Sequence, residues 1–315
     1  MSKTFGDIIT DGDVLTTLTN NVSFALWDSS KSAGSRNQMI LRDDLIKALI
    51  DARLYNLGIV PLSEMTVETS LDTDTDHDVL ITPKSTNIPC CCDSTRTYNF
   101  TIPAAFTKQI DATWAAGDDA GGDFVTGGSP TADTTYYVFL IRKDSDGSID
   151  AGFDTDIDCA NIPSGYTAYR LIARVMTDGS SNIIPYVQDA DNFYLETPVV
   201  AEDINPGTSA VLLSLQVPTG GGIIPIANYR LTPVSAEPTG ATNGIFSSPL
   251  VSDIAPTSTI RNVEMGPASD GPSEFSGPLV ANASGQIRVR VDNSGTNIKV
   301  MAAVSGWIDR RGRDG

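Results

Sequence analysis

The feature that most constrains this sequence is a change in the spacing of its apolar residues near residue 63. Beyond that point apolar and polar residues alternate in short runs, as in QIRVRV at residues 286–291. Successive side chains of a strand point to opposite faces, so this alternation predicts strands with one buried and one solvated face. Because the runs are bounded by Gly, Asp and Asn, they indicate a mainly β body.

Three pairs of such runs are separated by turn-forming residues and therefore predict β-hairpins. The pairs are 134–141 with 148–153, 166–177 with 183–188, and 285–291 with 296–309. Pro185 cannot donate a hydrogen bond to a neighbouring strand, so it predicts an edge or a bulge in the second pair. Several short strands joined by tight turns indicate β-sandwiches or jelly rolls.

The length of the chain predicts more than one folded part. With 315 residues, 40% of them hydrophobic, the chain can bury two cores. We expect residues 1–62 to form a short anchoring or docking segment, residues 63–197 a first β-sandwich module and residues 198–315 a second. The Pro-containing acidic stretch 196–209 is the predicted connector. The predicted fold class is mainly β, with two sandwich-like or jelly-roll-like modules after the N-terminal segment.

An amphipathic helix is predicted over residues 39–57, and Gly58 followed by Pro61 would end it. Its apolar residues have helical spacing, so they form a stripe on one face. The stripe could pack on the core of the protein itself or dock on a partner subunit, and both interpretations stay open. The residues proposed for partner docking are Leu45, Ile46, Leu49, Ile50 and Leu54.

The charge of the chain argues against two classes of partner. There are 39 acidic and 21 basic residues, which give a formal net charge of −18 and a pI near 4.2. Nucleic acids and anionic membranes bind clustered Lys and Arg, so neither is expected. No stretch approaches the roughly 20 apolar residues of a membrane-spanning helix. The first residues lack the apolar core of a signal peptide, so we expect folding in a cytosol.

The four cysteines do not predict a disulfide framework. Cys90, Cys91 and Cys92 are consecutive, and Cys159 stands alone. Neighbouring cysteines rarely bridge each other, so a disulfide would need one of the triplet to meet Cys159 under oxidising conditions. A zinc site is not expected, since it needs closely spaced Cys or His pairs. The role of the triplet stays open.

The run LDTDTDHDVLITP at residues 71–83 is the strongest candidate for a metal site. Asp72, Asp74 and Asp76 occupy positions 1, 3 and 5 of a calcium-binding loop. Position 6 is a histidine instead of the required glycine, and position 12 is a proline instead of a glutamate. The match fails at both diagnostic positions. We therefore expect a solvated turn that leads into a strand, with a weak calcium site at the three aspartates as the alternative.

No arrangement of residues predicts catalysis or a bound cofactor. The only histidine, His77, would have to serve any Ser-His-Asp or Cys-His site, and no nucleophile-elbow sequence lies nearby. The glycines at 220–222 are not followed by the Lys-Ser/Thr pair of a phosphate-binding loop, so they predict a turn. We expect a non-enzymatic protein without a cofactor.

Two long runs of the sequence carry a resemblance to known proteins. The first begins with WAAGDDAGGDFVTGG at 114–128 and continues through residues 134–188. The second, at 281–315, closes on a Gly-Trp-x-Asp-x-Arg-Gly pattern. Together they resemble a module of tailed-phage and prophage virion proteins, often labelled tail fibre or tail-associated structural protein. The resemblance covers roughly residues 70–315, and its closing pattern consists of Gly306, Trp307, Asp309, Arg311 and Gly312.

The resemblance implies a non-enzymatic structural protein of a virion, assembled in the host cytoplasm with other virion proteins. A tail-fibre, tail-tip or collar-associated component is the first expectation, and a capsid decoration or head-fibre protein is the alternative. Proteins of this kind usually form oligomers, and the predicted amphipathic helix could dock on a partner subunit. We therefore expect a homo-oligomer, with a trimer favoured.

A carbohydrate-binding host-receptor adhesin is a further alternative. Exposed aromatic rings can stack on the sugar rings of a host surface glycan, and the candidate residues are Trp114, Tyr166, Tyr169 and Trp307. Each lies in a strand-like run, so a position in the core is the competing interpretation. A depolymerase would show a long repetitive β-solenoid, and the sequence has no such repeat.

Overall fold

The protein is described by a computed structural model over residues 65–69, 76–83, 89–92, 98–102, 104–234, 241–266, 273–293 and 298–310. The helix predicted over 39–57 lies outside these residues, and so do its proposed docking side chains, from Leu45 to Leu54. Within the described residues the regular structure consists of strands. None of the described segments is a helix long and apolar enough to cross a membrane.

Eighteen strands form the regular structure of the described residues, and they confirm the predicted mainly β class. In chain order they are β1 (Met65–Thr69), β2 (Asp78–Pro83), β3 (Pro89–Cys92), β4 (Asn99–Thr101), β5 (Phe106–Thr113), β6 (Ala120–Asp123), β7 (Thr135–Lys143), β8 (Ile149–Asp154), β9 (Tyr166–Met176), β10 (Tyr186–Asp189), β11 (Asn192–Ile204), β12 (Val211–Ser214), β13 (Ile223–Pro233), β14 (Thr242–Ser247), β15 (Val263–Met265), β16 (Ser273–Ser276), β17 (Gln286–Val291) and β18 (Ile298–Asp309).

The first sheet has seven strands in the order β1-β2-β5-β6-β8-β7-β9. Strand β6 runs parallel to both β5 and β8, and the other neighbours are antiparallel. Strands β7 and β8 form the first predicted hairpin, with Tyr137 opposite Asp154 and Arg142 opposite Ile149. The side chains of β7 are buried on both faces of the sheet from residue 135 to 141, which explains its unbroken apolar run.

Two further sheets pack against each other in a sandwich-like arrangement. One has five strands, β10-β11-β18-β13-β16, and the other has four, β12-β17-β14-β15. Their inward side chains belong to one core, which contains Ile287 and Val289 of β17 together with Val300 and Val304 of β18. The same core includes Val138 of the seven-stranded sheet. Strands β3 and β4 pair with each other in a separate two-stranded sheet.

One of the three predicted hairpins is wrong and another is formed only next to its turn, although all of their strands exist. Strand β17 pairs with β12 and β14, whereas β18, the next strand along the chain, pairs with β11 and β13 in the other sheet. After β9 the chain reverses at the predicted turn, where Thr177 and Ile183 form an antiparallel bridge and the N–H of Ile184 donates a hydrogen bond to the carbonyl of Met176 (2.8 Å). The pairing goes no further, because β10 pairs with β11. Pro185 directly precedes β10, which is an edge strand as predicted. Turn residues indicate where the chain reverses, but they do not select the sheet that the next strand joins.

The predicted boundary between the two modules, at residues 197 and 198, falls inside β11. Residues Gly58–Gly315 group as one compact unit. Across the boundary, the backbone N–H of Thr219 donates a hydrogen bond to Oγ1 of Thr135 (3.0 Å). An ion pair joins Arg174 of β9 to Asp309 of β18. The division into two modules at this boundary stays a prediction.

Candidate functional site

Three of the four aromatic residues proposed to bind glycans meet on one face of the seven-stranded sheet. The rings of Trp114 and Tyr166 lie edge to face with their centroids 5.2 Å apart. The ring of Tyr169 meets Phe139 in the same way at 5.6 Å. Phe124 packs beside them, 6.2 Å from Trp114. We call these five residues the aromatic face; side chains of β7 and β9 form its floor, and Trp114 and Phe124 directly follow β5 and β6.

The aromatic face is only partly open to solvent. Tyr166 is 6% exposed and Phe139 is fully buried, whereas Trp114, Phe124 and Tyr169 are half-buried. Solvent therefore reaches Trp114 and Tyr169 in part but scarcely reaches Tyr166. Burial raises the pKa of the Tyr166 hydroxyl, and nearby aspartates add to the shift, so the hydroxyl stays neutral at physiological pH.

Trp307 lies elsewhere, inside the core. It is 0% exposed, and its ring stacks on Phe193 with centroids 5.2 Å apart and planes 4° apart. It presents no ring face to a ligand, so the proposed sugar contact does not fit its position. Its neighbours in the sequence also serve packing. A Cβ atom on Gly306 would lie 2.1 Å from the carbonyl oxygen of Phe193, and Asp309 pairs with Arg174 at 3.5 Å.

A buried ion pair lies beside the aromatic face. Nζ of Lys108 is 2.9 Å from Oδ1 of Asp150, and the two side chains are 0% and 9% exposed. The same nitrogen donates hydrogen bonds to the backbone carbonyls of Ala115 (2.7 Å) and Gly117 (3.0 Å). It also lies 5.8 Å from the centre of the Trp114 ring, within reach of a cation–π contact. Lys108 therefore joins β5, the loop after it and β8.

The glycines of β6 make room for this ion pair. Lys108 is on β5 and Asp150 is on β8, and β6 lies between those two strands. A Cβ atom on Gly122 would lie 3.2 Å from Cβ of Lys108 and 2.6 Å from the ring of Phe153. The lysine reaches its partner because this strand has no side chain in the way. From sequence, Lys108 looks like an ordinary solvent-facing residue of an alternating strand, so the pair was not predicted.

The acidic run that predicted a turn or a weak calcium site is described only in part. Asp72 and Asp74 lie outside the described residues. Asp76 is exposed, and its backbone carbonyl accepts a hydrogen bond from the N–H of Ile183 (2.6 Å), which ties this turn to the segment before β10. The strand predicted from Asp78 to Pro83 is β2. Across the described ranges, no three His, Cys, Asp or Glu side chains are placed to hold a metal ion.

A second series of alternating aspartates, Asp154, Asp156 and Asp158, shapes the loop after β8. The carboxylate of Asp154 is buried and accepts hydrogen bonds from the N–H of Asp156 and from the backbone and side-chain N–H groups of Asn161, each at 2.9 Å. The Asp-x-Asp spacing, typical of turns closed by side chains, could have revealed this loop from sequence. Within the loop Cys159 is a buried free thiol, and burial raises its pKa.

Comparison with known proteins adds no relative from which residue roles could be transferred. No protein-family model matches the chain, and no curated protein matches it.

Proposed function

We propose that this chain is a non-enzymatic structural component of a tailed-phage virion, assembled with other virion proteins in the host cytoplasm. Its place is a tail fibre, tail tip or collar, to which residues 1–62 attach it. In finer detail, we propose that the β body comprises two sandwich-like or jelly-roll-like modules and that the helix over 39–57 docks on a partner subunit. A capsid decoration or head-fibre protein is the alternative position.

The observation that carries this proposal is the structural use of the closing sequence pattern. Gly306, Trp307 and Asp309, which resemble the pattern of virion proteins, lie in the core of the β body. Gly306 permits close approach of β11, Trp307 fills the space beside Phe193, and Asp309 pairs with Arg174. The described residues of the closing pattern therefore contribute to packing between sheets, and this structural role supports the proposal; Arg311 and Gly312 lie outside the described residues.

Localisation on a virion tests the proposal directly. Immunogold labelling or cryo-electron microscopy of particles from a host that produces this chain should show it at the tail. Label on the head would favour the decoration alternative. Purified particles that lack the chain altogether would contradict both positions.

The predicted docking stripe gives a second test. Leu45→Asp combined with Leu49→Asp should block incorporation of the chain into particles, because two carboxylates cannot enter an apolar contact without a large desolvation cost. The purified variant should keep the circular dichroism of its β body. A variant that unfolds throughout would show that the stripe packs on the protein's own core instead.

We also propose that the docked form is a homo-oligomer, with a trimer favoured. Light scattering coupled to gel filtration should give a mass three times the 33.4 kDa of one chain at micromolar concentration. A mass of one chain across that range would contradict the proposal, and the double aspartate variant should behave as a monomer.

Binding of a host glycan is a second candidate function, because the aromatic face brings Trp114 and Tyr169 together at a partly open surface. A glycan array probed with the full chain should show binding that is lost in a Tyr169→Ala variant. Tyr194→Ala is the matched control, since Tyr194 is 42% exposed but lies on the five-stranded sheet. Binding that survives Tyr169→Ala, or that Tyr194→Ala also removes, would contradict a site at the aromatic face.

A further inference from the structure

The side chains of Lys108 and Asp150 are buried and in contact, and further hydrogen bonds fix the orientation of the Asp150 carboxyl group. An ion pair alone does not require this orientation. Nζ of Lys108 touches Oδ1 of Asp150 at 2.9 Å, and Cγ of Asp150 is one bond beyond that oxygen. Oδ2 accepts a hydrogen bond from the N–H of Gly117 (2.9 Å), and Oδ1 accepts one from the N–H of Ala151 (2.7 Å). An amine nitrogen is thus held beside a carboxyl carbon whose two oxygens both face backbone donors.

We propose that Lys108 and Asp150 join in an intramolecular amide bond that crosslinks β5 to β8 across β6. Nζ of Lys108 is the nucleophile, Cγ of Asp150 is the electrophile, and one water molecule leaves. The modification site is buried, so it forms after the sheet has folded and needs no partner molecule.

The atoms and charges of this step balance. One proton of the Lys108 ammonium passes along the 2.9 Å contact to Oδ1 of Asp150, which leaves a neutral amine beside a neutral carboxylic acid. The amine attacks Cγ, and the negative charge that develops on Oδ2 is stabilised by the N–H of Gly117. The C–Oδ1 bond then breaks, and Oδ1 leaves as water with a second proton from the nitrogen.

The surroundings favour this product over the charged reactants. A buried ammonium and a buried carboxylate each carry a desolvation cost, and a neutral amide removes both. Burial also lowers the pKa of Lys108, against the opposing effect of Asp150 and Asp118, which eases formation of the neutral amine. The N–H of the amide can keep the bond that Nζ already makes to the carbonyl of Ala115. Because the fold holds the two groups in contact, the reaction is intramolecular and avoids the entropic cost of bringing them together.

Mass spectrometry of the full chain tests the proposal. The intact, denatured wild-type protein should be lighter than its sequence mass by one water molecule. Trypsin should leave residues 97–142, uncleaved at Lys108, joined to residues 144–170, which contain Asp150. A wild-type protein at its full sequence mass after incubation at neutral pH, with separate peptides, would overturn the proposal.

Two variants identify the bond. Lys108→Arg keeps a cation beside Asp150 but cannot form the amide, and Asp150→Ala removes the electrophile. Both should show their full sequence masses, and both can be read on denatured protein whether or not they fold well. Loss of water that persists in Lys108→Arg would mean that another dehydration, such as closure of Asp150 onto the N–H of Ala151, is responsible, and would also overturn the proposal.

Discussion

At the scale of single residues, buried aspartates of this acidic chain stabilise loops by accepting hydrogen bonds from backbone N–H groups. The carboxylate of Asp123, 2% exposed at the end of β6, accepts hydrogen bonds from the N–H groups of Val125 (2.8 Å), Thr126 (3.0 Å) and Gly128 (2.8 Å), and from the Thr126 hydroxyl. Asp154 accepts hydrogen bonds from the N–H groups of the loop after β8 in the same way. These two carboxylates therefore organise backbone that has no strand to pair with.

We expect Asp123→Ala to lower the free energy of unfolding by about 2–4 kcal/mol, because several buried donors lose a charged acceptor. Urea unfolding followed by circular dichroism measures this loss. Asp111→Ala is the matched control, since that aspartate is exposed on the neighbouring strand, and it should change stability by less than about 0.5 kcal/mol. Equal effects of the two substitutions would contradict the stabilisation of the loop by Asp123.

The same residue predicts a dependence on pH. Burial alone would raise the pKa of Asp123, but the hydrogen bonds from Thr126, Gly128 and Val125 outweigh it and hold the pKa below its ordinary value. A carboxylate with a lowered folded pKa stabilises the fold above its unfolded value of about 3.9 and loses that contribution as the pH falls through the folded value. The difference in stability between wild type and Asp123→Ala should therefore be constant near neutral pH and shrink below about pH 4.

At the scale of elements, β6 is the unusual strand. It is short, rich in glycine and parallel to both of its neighbours, in a sheet that is otherwise antiparallel. Gly121 faces the backbone of β5, and Gly122 leaves space for Lys108 and Phe153. Side chains on β6 would push β5 and β8 apart and separate the Lys108–Asp150 pair.

We expect Gly121→Ala to destabilise the protein by about 3 kcal/mol, because its Cβ atom would lie 2.0 Å from the carbonyl oxygen of Thr113 and 2.7 Å from that of Ala112, and backbone cannot move aside cheaply. The midpoint of urea unfolding should fall with little change in slope. Ala120→Ser, at the adjacent half-buried position, should cost less than about 1 kcal/mol. An unchanged midpoint for Gly121→Ala would mean that β5 and β6 are not in close contact.

Strands and hairpins were predictable from sequence where the residues that determine them lie close together in the chain. The β7–β8 hairpin was recognised because the turn residues Asp144–Gly147 and both strands lie within 20 or so residues of one another. The alternation of β17 was also correct, since Ile287, Val289 and Val291 are all buried. The pairing of β18 with β11 and β13 was not predictable, because it depends on contacts between residues far apart in sequence, and alternation alone does not choose a partner.

At the scale of the whole molecule, the described sheets contribute to one core, and a buried ion pair connects the seven-stranded sheet to the five-stranded sheet. Nε of Arg174, on β9, lies 3.5 Å from Oδ2 of Asp309, on β18, and both side chains are almost completely buried. Nη1 of Arg174 also donates to the carbonyls of Gly221 (2.8 Å) and Thr219 (3.4 Å). The glycine run at 220–222, predicted as a turn, thus presents one backbone oxygen, that of Gly221, to this arginine.

We expect Arg174→Met to destabilise the protein by about 3–5 kcal/mol, because it leaves Asp309 as a buried charge without its cation. Asp309→Leu should cost a similar amount for the converse reason. The double variant should lose clearly less than the sum of the two, since replacing both charges by apolar groups is often tolerated. Calorimetry measures all three, and additive losses would show that the two side chains do not act as a pair.

The candidate site was predictable only as a set of residue types. Aromatic composition identified Trp114, Tyr166 and Tyr169, but their convergence depends on the pairing of β7 with β9 and on the loop that carries Trp114. Composition could not separate Trp307 from them, because a stacking ring on a surface and a packing ring in a core look alike in sequence. The Lys108–Asp150 pair required knowledge of which strand lies between its two members.

The position of β18 has a consequence for how the chain folds as it is made. Strand β11 ends at Ile204 and its partner β18 begins at Ile298, so the ribosome must add the intervening residues first. At roughly 5–20 residues per second, β11 waits on the order of 5–20 s for the strand that completes its sheet. During that interval its hydrogen-bonding edge is available to neighbouring nascent chains. Chains released before residue 298 should therefore aggregate more than released chains that include β18.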